Sequence, residues 1–365
     1  MQIKSLILFM PSIEGGGVEK NLFIISNYLV DKIKDISLIT ISNSFKHKFN
    51  KKIRFISLKG DFWDKVGRRK KFFLSLFILF LRIIKDRNLL VLCFQGNIYC
   101  TLLCKLLGIK IIVRSNSAPD GWSKNIIKHF FFKYIFSFAD RIIVNSYEFK
   151  KKFKDKFNLK TICIYNPLNK KDIIKKSKIK HKIPFSKKKL NIINIGRFTD
   201  QKDQITLLKA VNEIKKKIKF RLIIIGRGKE KNNLVSYIKR NNLSKNIKLI
   251  NFLDSPFNLI RSSDLFILTS IYEGLPNVLL EAQTLKKFII SSDCPTGPKE
   301  ILLNGKAGYL FKPRNYKKLA NLITSYVKNR KKLSKKIRIG YNNLDRFDFE
   351  KNLKKYLNII NSLLY

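Results

Sequence analysis

The stretch DLFILTSIYEGLPNVLLEAQTLKKFIISS, residues 264–292, contains the pattern that decides the fold. Apolar runs of strand length lie at 265–269 and 288–292, and a helical pattern starting at about Pro276 or Asn277 lies between them. A strand, a helix and a second strand in this order predict a parallel βαβ unit. The loop IYEGLP then lies at the carboxyl end of the first strand, where such sheets bind ligands.

The same alternation of short apolar runs and helical patterns continues along the whole chain. In the first half the runs are SLILFM, ISLITIS, IRFIS, LLVLCF, IKIIVRS, DRIIVNS and TICIYN, and in the second half LNIINIG, FRLIIIG, IKLINF, DLFILTS, KFIISS and GYLF. This pattern predicts the α/β class, with parallel sheets covered by helices on both faces. We expect two Rossmann-like, doubly wound domains that face a central cleft. Their expected limits are 1–168 and 190–346, with a basic linker at 169–189 and a C-terminal helix at 347–365 that packs back towards the first domain.

Composition limits the classes of protein that fit. The 365 residues include 76 Lys or Arg and 25 Asp or Glu, for a formal charge of +51. Such a charge suits nucleic acid or an anionic membrane as a partner. The lysines are spread from end to end among Ile, Asn and Phe, however, which an AT-rich genome also produces. Charge alone therefore does not identify a partner.

Cysteine usage and apolar segments indicate a cellular location. The five cysteines are odd in number and contain no C-x-x-C pair, which favours reduced thiols in a cytoplasmic protein. The N-terminal apolar run ends in a glycine loop and is expected to be a strand rather than a signal peptide. Arg82 and Lys85 interrupt the apolar segment that starts at Phe72, whereas a membrane span needs about 20 apolar residues. No transmembrane helix is expected.

Two glutamates stand eight positions apart around the turn in the opening stretch. Gly274 frees the backbone before the helix, and Pro276 suits its first turn, so backbone N–H groups there can face an anion. Glu281 lies about one turn into the helix, and its side chain leans back towards the helix start. We expect Glu273 and Glu281 to reach one pocket and to bind sugar hydroxyls.

Three further loops after strands carry glycines or cations that bear on ligand binding. Gly16 and Gly17 in EGGGVEK let the backbone approach a ligand before a helix start. Gly196, Arg197 and Lys202 follow the first strand of the second half, and two cations there suit a diphosphate. The next strand ends in a glycine turn at residues 226–228, which includes Gly226 and lacks the third glycine of a dinucleotide fingerprint.

These motifs together resemble the retaining family 4 glycosyltransferases of the GT-B fold. The spacing of Glu273 and Glu281 matches the E-x7-E element of that family. Further matches are GGVE at 16–19, GR plus lysine at 196–202, ADRIIVNS at 139–146, YNP at 165–167 and FDFEKNLKKYL near the C-terminus. The form DCPTGPKEIL is similar to members that build bacterial lipopolysaccharide, capsule or lipid-linked glycans.

The resemblance implies a role for each matched residue. Arg197 and Lys202 would hold the donor diphosphate, Glu281 would bind the ribose, and Glu273 would contact the transferred sugar. With Glu273, Arg197 and Lys202 as catalytic residues, the sugar would be transferred with retention at the anomeric carbon. The remaining donor-pocket positions would be Gly16, Gly17, Gly196, Gly226, Gly274, Leu275, Pro276 and Asn277.

The resemblance also implies substrates and a location. The donor would be a UDP-sugar, such as a UDP-N-acetylhexosamine, and the acceptor a glycan or lipid-linked oligosaccharide. No cofactor or metal is expected, and the chain contains no D-x-D motif. Peripheral contact with the anionic inner membrane at its cytoplasmic face is expected through the Lys- and Phe-rich segments 68–82 and 124–136.

The acceptor side departs from the family pattern. Many relatives carry a histidine after the strand that corresponds to IKIIVRS, but here the segment reads RSNSAPDGW. Ser115 or Asn116 occupies the place where that histidine would lie. Arg114, Asn116 and Asp120 are therefore the candidates for acceptor contact.

Two other classes of protein remain as alternatives. A sugar-nucleotide epimerase can share the two-domain architecture, and it would interconvert UDP-sugars without an acceptor. It would also need active-site acids and histidines that cannot be placed in this chain. A nucleic-acid-binding protein would explain the charge of +51 but not the paired glutamates, so no specific nucleic acid is expected as a partner.

Overall fold

A computed structural model describes residues 5–116 of this chain except 59 and 61, residues 126–179, and residues 185–364 except 187. Each apolar run that was predicted to be a strand contains or overlaps an observed β-strand. The strands are β1 Ser5–Phe9, β2 Ile36–Ile39, β3 Arg54–Ile56, β4 Leu89–Cys93, β5 Lys110–Ser115, β6 Arg141–Val144, β7 Ile162–Cys163, β8 Leu190–Ile195, β9 Phe220–Ile225, β10 Ile247–Ile250, β11 Leu265–Leu268, β12 Phe288–Ser292 and β13 Tyr309–Phe311.

Helices connect most of these strands. They are α1 Gly17–Leu29, α2 Phe62–Lys65, α3 Arg68–Lys85, α4 Asn97–Leu106, α5 Ile126–Ser137, α6 Tyr147–Phe157, α7 Lys170–Ser177, α8 Gln204–Ile214, α9 Lys231–Arg240, α10 Phe257–Ser262, α11 Asn277–Thr284, α12 Pro298–Ile301, α13 Tyr316–Asn329, α14 Ser334–Asn342 and α15 Phe349–Leu364. Short 3-10 helices lie at Lys46–Lys48, Asp200–Lys202 and Asn343–Phe347.

The strands form two parallel sheets, and each sheet is doubly wound. The first has the order β3-β2-β1-β4-β5-β6-β7, and the second has the order β10-β9-β8-β11-β12-β13. The strand order reverses between β1 and β4 in the first sheet and between β8 and β11 in the second. Buried Ile, Leu, Val and Phe side chains fill the space between each sheet and its helices. The predicted α/β class with two Rossmann-like sheets is confirmed.

The chain divides into two compact units, each built around one sheet. The first unit ends at Pro167 and also includes the chain from Phe349 onward, whereas the second spans Leu168–Asp348. The C-terminal helix α15 thus belongs to the first unit. Its buried face, which includes Leu353 and Ile360, joins the core that covers β1 and β4.

The segment 169–189, expected to be a linker, instead begins with helix α7. Asn169 caps this helix by accepting a hydrogen bond from the backbone N–H of Asp172 (3.0 Å). Ile173 is buried, and α7 packs against α10 and α11 within the second unit. The lysine-rich composition obscured this amphipathic helix, because its buried face consists of only two residues, Ile173 and Ser177.

A buried arginine ties α15 to the first sheet. The Arg114 side chain, at the end of β5, is fully buried, and its Nε donates to the Tyr356 hydroxyl (2.8 Å). Its Nη2 donates to Asn166 Oδ1 (2.8 Å), and its Nη1 donates to Asn116 Oδ1. Burial raises the pKa of the Tyr356 hydroxyl, and the Arg114 charge partly opposes this rise. A buried guanidinium requires such acceptors, so α15 completes the site that holds Arg114.

The variant Tyr356→Phe tests this connection. It leaves the Arg114 Nε without its phenolic acceptor, and we expect the free energy of unfolding to fall by about 1.5–3 kcal/mol. Urea unfolding followed by circular dichroism measures the loss. The matched control is Tyr99→Phe on α4, whose exposed ring should change stability by less than about 0.5 kcal/mol. Equal losses in both variants would contradict the role of the hydroxyl.

Candidate functional site

Two loops lie side by side where the strand order of the second sheet reverses. Leu265 of β11 pairs with Ile192 of β8, so the two parallel strands end at the same edge. The loop after β8 and the loop after β11 are joined by hydrogen bonds from Ile271 N to Gln201 O (2.8 Å) and from Thr269 Oγ1 to Lys202 O (2.8 Å). Ligands bind at such reversal points in doubly wound sheets. The predicted residues Arg197, Lys202 and Glu273 therefore belong to one edge.

Lys202 and Glu273 form an ion pair between these loops. Lys202 Nζ contacts Glu273 Oε1, and the two side chains are 16% and 8% exposed. Ser270 Oγ donates a second hydrogen bond to the same carboxylate oxygen (2.6 Å). The stem of Lys202 lies over Gly196, where a Cβ would be 3.4 Å from Lys202 Cγ and Cδ. An ammonium has three donor hydrogens, so Lys202 can hold Glu273 and still donate to a ligand oxygen.

The loop after β12 supports the backbone around Glu273. Thr296 Oγ1 donates to the carbonyl of Glu273 (2.5 Å), and Ser292 Oγ donates to the carbonyl of Ser270 (2.6 Å). Both donor residues are buried. Sequence reasoning assigned no role to Ser270, Ser292 or Thr296, although the motif DCPTGPKEIL contains Thr296. These contacts hold Glu273 from three sides: Lys202, Ser270 and the loop after β12.

Gly297 allows the closest approach between these loops. Its φ is +75°, and a Cβ added there would lie 1.9 Å from the carbonyl oxygen of Gly274. Three residues earlier in the chain, the buried Cys294 thiol has its pKa raised to about 12, mainly by burial and then by the nearby Glu273 charge. The thiol is therefore a packing group at neutral pH. Only glycine fits at 297 without moving the loop that carries Glu273.

Glu281 lies in α11, directly after the same loop. The helix begins at Asn277, and Pro276 at its N-cap provides no side-chain hydrogen bond. Leu275 and Pro276 are buried, and Glu281 is only 4% exposed. Both predicted acids are thus buried in one continuous loop and helix.

The glycine turn after β9 packs against the loop after β8. A Cβ at Gly226 would lie 2.0 Å from the carbonyl oxygen of Gly196, and one at Gly228 would lie 2.3 Å from that of Phe198. Phe198 N donates to Arg227 O (2.8 Å), which joins the two loops. Only a residue without a Cβ allows this close packing at position 226. The turn at Gly226 thereby supports the loop after β8, which carries the exposed Arg197.

In the first unit, a glutamate organises the glycine loop after β1. Gly16 is the N-cap of α1 and Gly17 is the first helical residue. The buried Glu19 accepts a hydrogen bond from the backbone N–H of Glu14 (3.4 Å), and a Cβ at Gly16 would lie 2.8 Å from Glu19 Oε2. This side chain folds back over the helix start in the manner of a capping box. The motif GGVE contains Glu19, and the position of Glu19 three residues after the N-cap is the sequence signal for this role.

The three acceptor candidates have different outcomes. The expected contact of Arg114 with an acceptor is not supported, because its guanidinium is fully buried and hydrogen-bonded within the first unit. Asn116 is half-buried, accepts from Arg114 and donates to the carbonyl of Phe94 (2.8 Å). Asp120 lies outside the described residues.

The described ranges contain acidic, histidine and cysteine side chains, which can bind metal ions. No group of three or more His, Cys, Asp or Glu side chains is arranged to hold a metal ion there. All five cysteines lie in the described ranges without a disulfide, and burial raises the pKa of Cys100 well above its usual range. Over the same ranges, no helix has both the length and the apolar composition needed to cross a bilayer.

Comparison with known proteins identifies the family of this chain. Residues 175–343, which lie within the second unit, match the model of the family described as glycosyl transferases group 1. An uncharacterized glycosyltransferase from Methanocaldococcus jannaschii is 34% identical over 286 residues, which cover 67% of this chain and 69% of that protein. The chain belongs to the glycosyl transferases group 1 family.

Two further similarities bear on substrates and fold. The N-acetylgalactosamine-N,N'-diacetylbacillosaminyl-diphospho-undecaprenol 4-alpha-N-acetylgalactosaminyltransferase of Campylobacter jejuni is 23% identical over 71% of this chain and 73% of its own length. The crystal structure of Anabaena HepE in complex with UDP and glucose superimposes with a TM-score of 0.78 at 16% identity, covering 98% of this chain and 100% of HepE. The fold of this glycosyltransferase is GT-B.

The variant Gly297→Ala tests the close approach of the two loops. The matched control is Gly305→Ala, because Gly305 also has a positive φ (+86°) but its nearest atom to an added Cβ is 3.9 Å away. The control should lose about 1–2 kcal/mol of unfolding free energy for the left-handed backbone alone. Gly297→Ala should lose about 1–3 kcal/mol more, because the methyl group collides with Gly274. Chemical denaturation of both variants gives the difference, and a difference near zero would contradict the packing argument.

Proposed function

We propose that this glycosyltransferase moves a sugar, such as an N-acetylhexosamine or a hexose, from a UDP-sugar to a glycan or lipid-linked acceptor, with retention at the anomeric carbon. The observation that carries the proposal is the Lys202–Glu273 ion pair at the edge where β8 and β11 end. It places a cation and a carboxylate together in the unit that matches the family model. A nucleotide sugar presents the same two chemistries, since its diphosphate is anionic and its sugar has hydroxyl groups.

In this proposal, Arg197 and Lys202 bind the diphosphate of the donor. Arg197 is exposed at the same edge and can donate paired hydrogen bonds to phosphate oxygens. Lys202 remains in contact with Glu273 and directs its other hydrogens to the departing phosphate. The backbone at the start of α11, from Gly274 to Asn277, adds the positive end of a helix. These charges stabilise the leaving group, so the proposed reaction has no step that uses a cofactor or a bound metal.

The two glutamates divide the rest of the donor between them. Glu281 accepts hydrogen bonds from the ribose hydroxyls, and Glu273 lies beside the anomeric carbon, where positive charge develops as its bond to phosphate breaks. The acceptor oxygen forms its new bond on the same face of the sugar, and the acceptor proton passes to the departing phosphate. Lys202 and Ser270 hold the Glu273 carboxylate in place for this step.

The choice of UDP and of a polysaccharide pathway rests on the named relatives. HepE binds UDP and glucose, and the Campylobacter jejuni relative acts on an undecaprenol-linked acceptor. By analogy, the chain described here works in bacterial lipopolysaccharide, capsule or related glycoconjugate synthesis. Its acceptor would then lie at the cytoplasmic face of the inner membrane, to which the protein attaches peripherally.

Nucleotide binding tests the donor assignment. Calorimetry with UDP, GDP and ADP should show the tightest binding for UDP, and unlabelled UDP should compete with UDP-N-acetylgalactosamine for one site. Arg197→Gln should weaken binding of UDP by about tenfold or more, because charged hydrogen bonds to the diphosphate are lost. A preference for GDP would overturn the uridine assignment and leave the family unchanged.

The glutamate variants test the division of roles. Glu281→Ala should raise the donor KM by about tenfold or more with a similar kcat, because ribose contacts are alike in the ground and transition states. Glu273→Ala should lower kcat by about 100-fold or more with UDP affinity little changed. The control is Glu213→Ala on the exposed side of α8, which should keep both constants. Wild-type turnover and donor affinity in both active-site variants would refute the assignment.

A further inference from the structure

The outer side of three neighbouring helices in the first unit is unusually apolar. Helix α4 packs against both α3 and α5, and all three cover the same face of the first sheet. Their inner side chains, such as Leu79 and Ile83 of α3 and Cys104 of α4, are buried in that core. The opposite side of each helix faces away from the sheet, so this side is where polar residues would be expected.

Helix α3 instead exposes a stripe of large apolar side chains. Phe73, Phe77, Leu81 and Ile84 are exposed by 70%, 59%, 50% and 58%. Their spacing of four, four and three residues places them along one line of the helix, about 16 Å long. Exposure of these apolar side chains to water does not stabilise the helix.

The exposed apolar surface continues across the two adjacent helices. On α4 the exposed residues are Tyr99, Leu102 and Leu106, and on α5 they are Phe130, Phe131 and Tyr134. Within the described ranges seventeen large apolar side chains are exposed, and ten of them lie on these three helices. We call these ten side chains the outer apolar face. Their concentration on one side of one unit distinguishes them from the scattered exposed residues of an ordinary surface.

The charged side chains on the three helices themselves have one sign. Segments 68–85, 97–106 and 126–137 contain no Asp or Glu. Exposed Arg68, Arg69 and Lys70 precede the stripe on α3, and exposed Lys105 and Lys133 lie on α4 and α5. A second copy of this chain would bring these cations against its own, so self-association is opposed. Apolar and aromatic side chains bordered by Lys and Arg suit the boundary between acyl chains and anionic headgroups.

We propose that the outer apolar face of α3, α4 and α5 is the surface that docks on an anionic lipid bilayer. The apolar side chains enter the boundary between headgroups and acyl chains, and the bordering cations lie at the lipid phosphates. The inference rests on the proposed function in one respect: docking on a bilayer would bring the enzyme to a lipid-linked acceptor. It differs from general attraction by the charge of +51, because it assigns binding to named apolar residues on one face.

Vesicle flotation separates these two explanations. The vesicles are an equimolar mixture of phosphatidylcholine and phosphatidylglycerol, with pure phosphatidylcholine as the uncharged comparison. The test variants are Phe77→Glu, Leu106→Glu and Phe130→Glu, one on each helix. The matched control is Val327→Glu, which makes a similar change at an exposed position of α13 in the second unit.

We expect the full-length protein to float with the anionic vesicles, less at high salt and least with pure phosphatidylcholine. Each test variant should partition about tenfold more weakly or worse, since each loses one inserted apolar side chain and adds a repelled charge. Val327→Glu should bind like the wild type. Phe77→Trp should retain binding, because tryptophan also suits the membrane interface. If the three test variants float as well as Val327→Glu, the proposal is overturned and diffuse charge accounts for binding.

Two measurements keep this result independent of the proposed function. Phe77→Glu should bind UDP with wild-type affinity, so weak flotation together with normal UDP binding locates the defect at the membrane surface. Failure of the wild type to bind UDP would overturn the proposed donor and leave the flotation result intact. Analytical ultracentrifugation tests whether a second copy of the chain covers this face instead. A wild-type dimer that dissociates in the Phe77→Glu variant would show that it does, and would overturn the bilayer proposal.

Discussion

The ion pair between Lys202 and Glu273 connects the parts of the candidate site, and the surrounding loops depend on it. Its two members come from loops after β8 and β11, and both side chains are largely buried. Removing one partner from a buried pair leaves an uncompensated charge, which typically costs about 3–5 kcal/mol. Ser270 offsets part of the desolvation by donating to the same carboxylate. The pair therefore keeps a cation and an acid together at a position where a nucleotide sugar would need both.

Close backbone contacts make that arrangement possible. At Gly226 and at Gly297, an added Cβ would lie within about 2 Å of the carbonyl oxygen of Gly196 and of Gly274. Each contact brings a neighbouring loop against one that carries a side chain of the candidate site. Glycine is thus required at Gly226 and Gly297 because two loops of the protein pack closely there, and not because a ligand approaches the backbone. A site held by such contacts is preorganised before any donor arrives.

In the first unit, the buried hydrogen bond that ties α15 to the fold lies on one side of the sheet, and the exposed apolar side chains lie on the other. Arg114 and Tyr356 lie in the interior of the unit, where α15 supplies an acceptor that β5 alone lacks. On the opposite side of the sheet, α3, α4 and α5 bury one side of each helix and leave apolar residues such as Phe77 and Leu106 exposed. The hydrophobic effect explains the first arrangement within the chain. It explains the second only when another apolar phase covers that surface.

The sequence by itself determined the α/β class, the strands and the family, because strand and helix periodicity and the E-x7-E spacing are local patterns. The tertiary structure decided the pairing of Lys202 with Glu273, the support from Thr296 and the burial of Arg114. Lys202 and Glu273 are 71 residues apart, and Arg114 and Tyr356 are 242 apart. Such contacts depend on which strands become neighbours in the sheet and which helix covers them. The lysine-rich segment 169–189 likewise has the composition of a linker, whereas the burial of Ile173 depends on α10 and α11. Local sequence patterns carry no record of these partners, and only the folded chain brings them within hydrogen-bond distance.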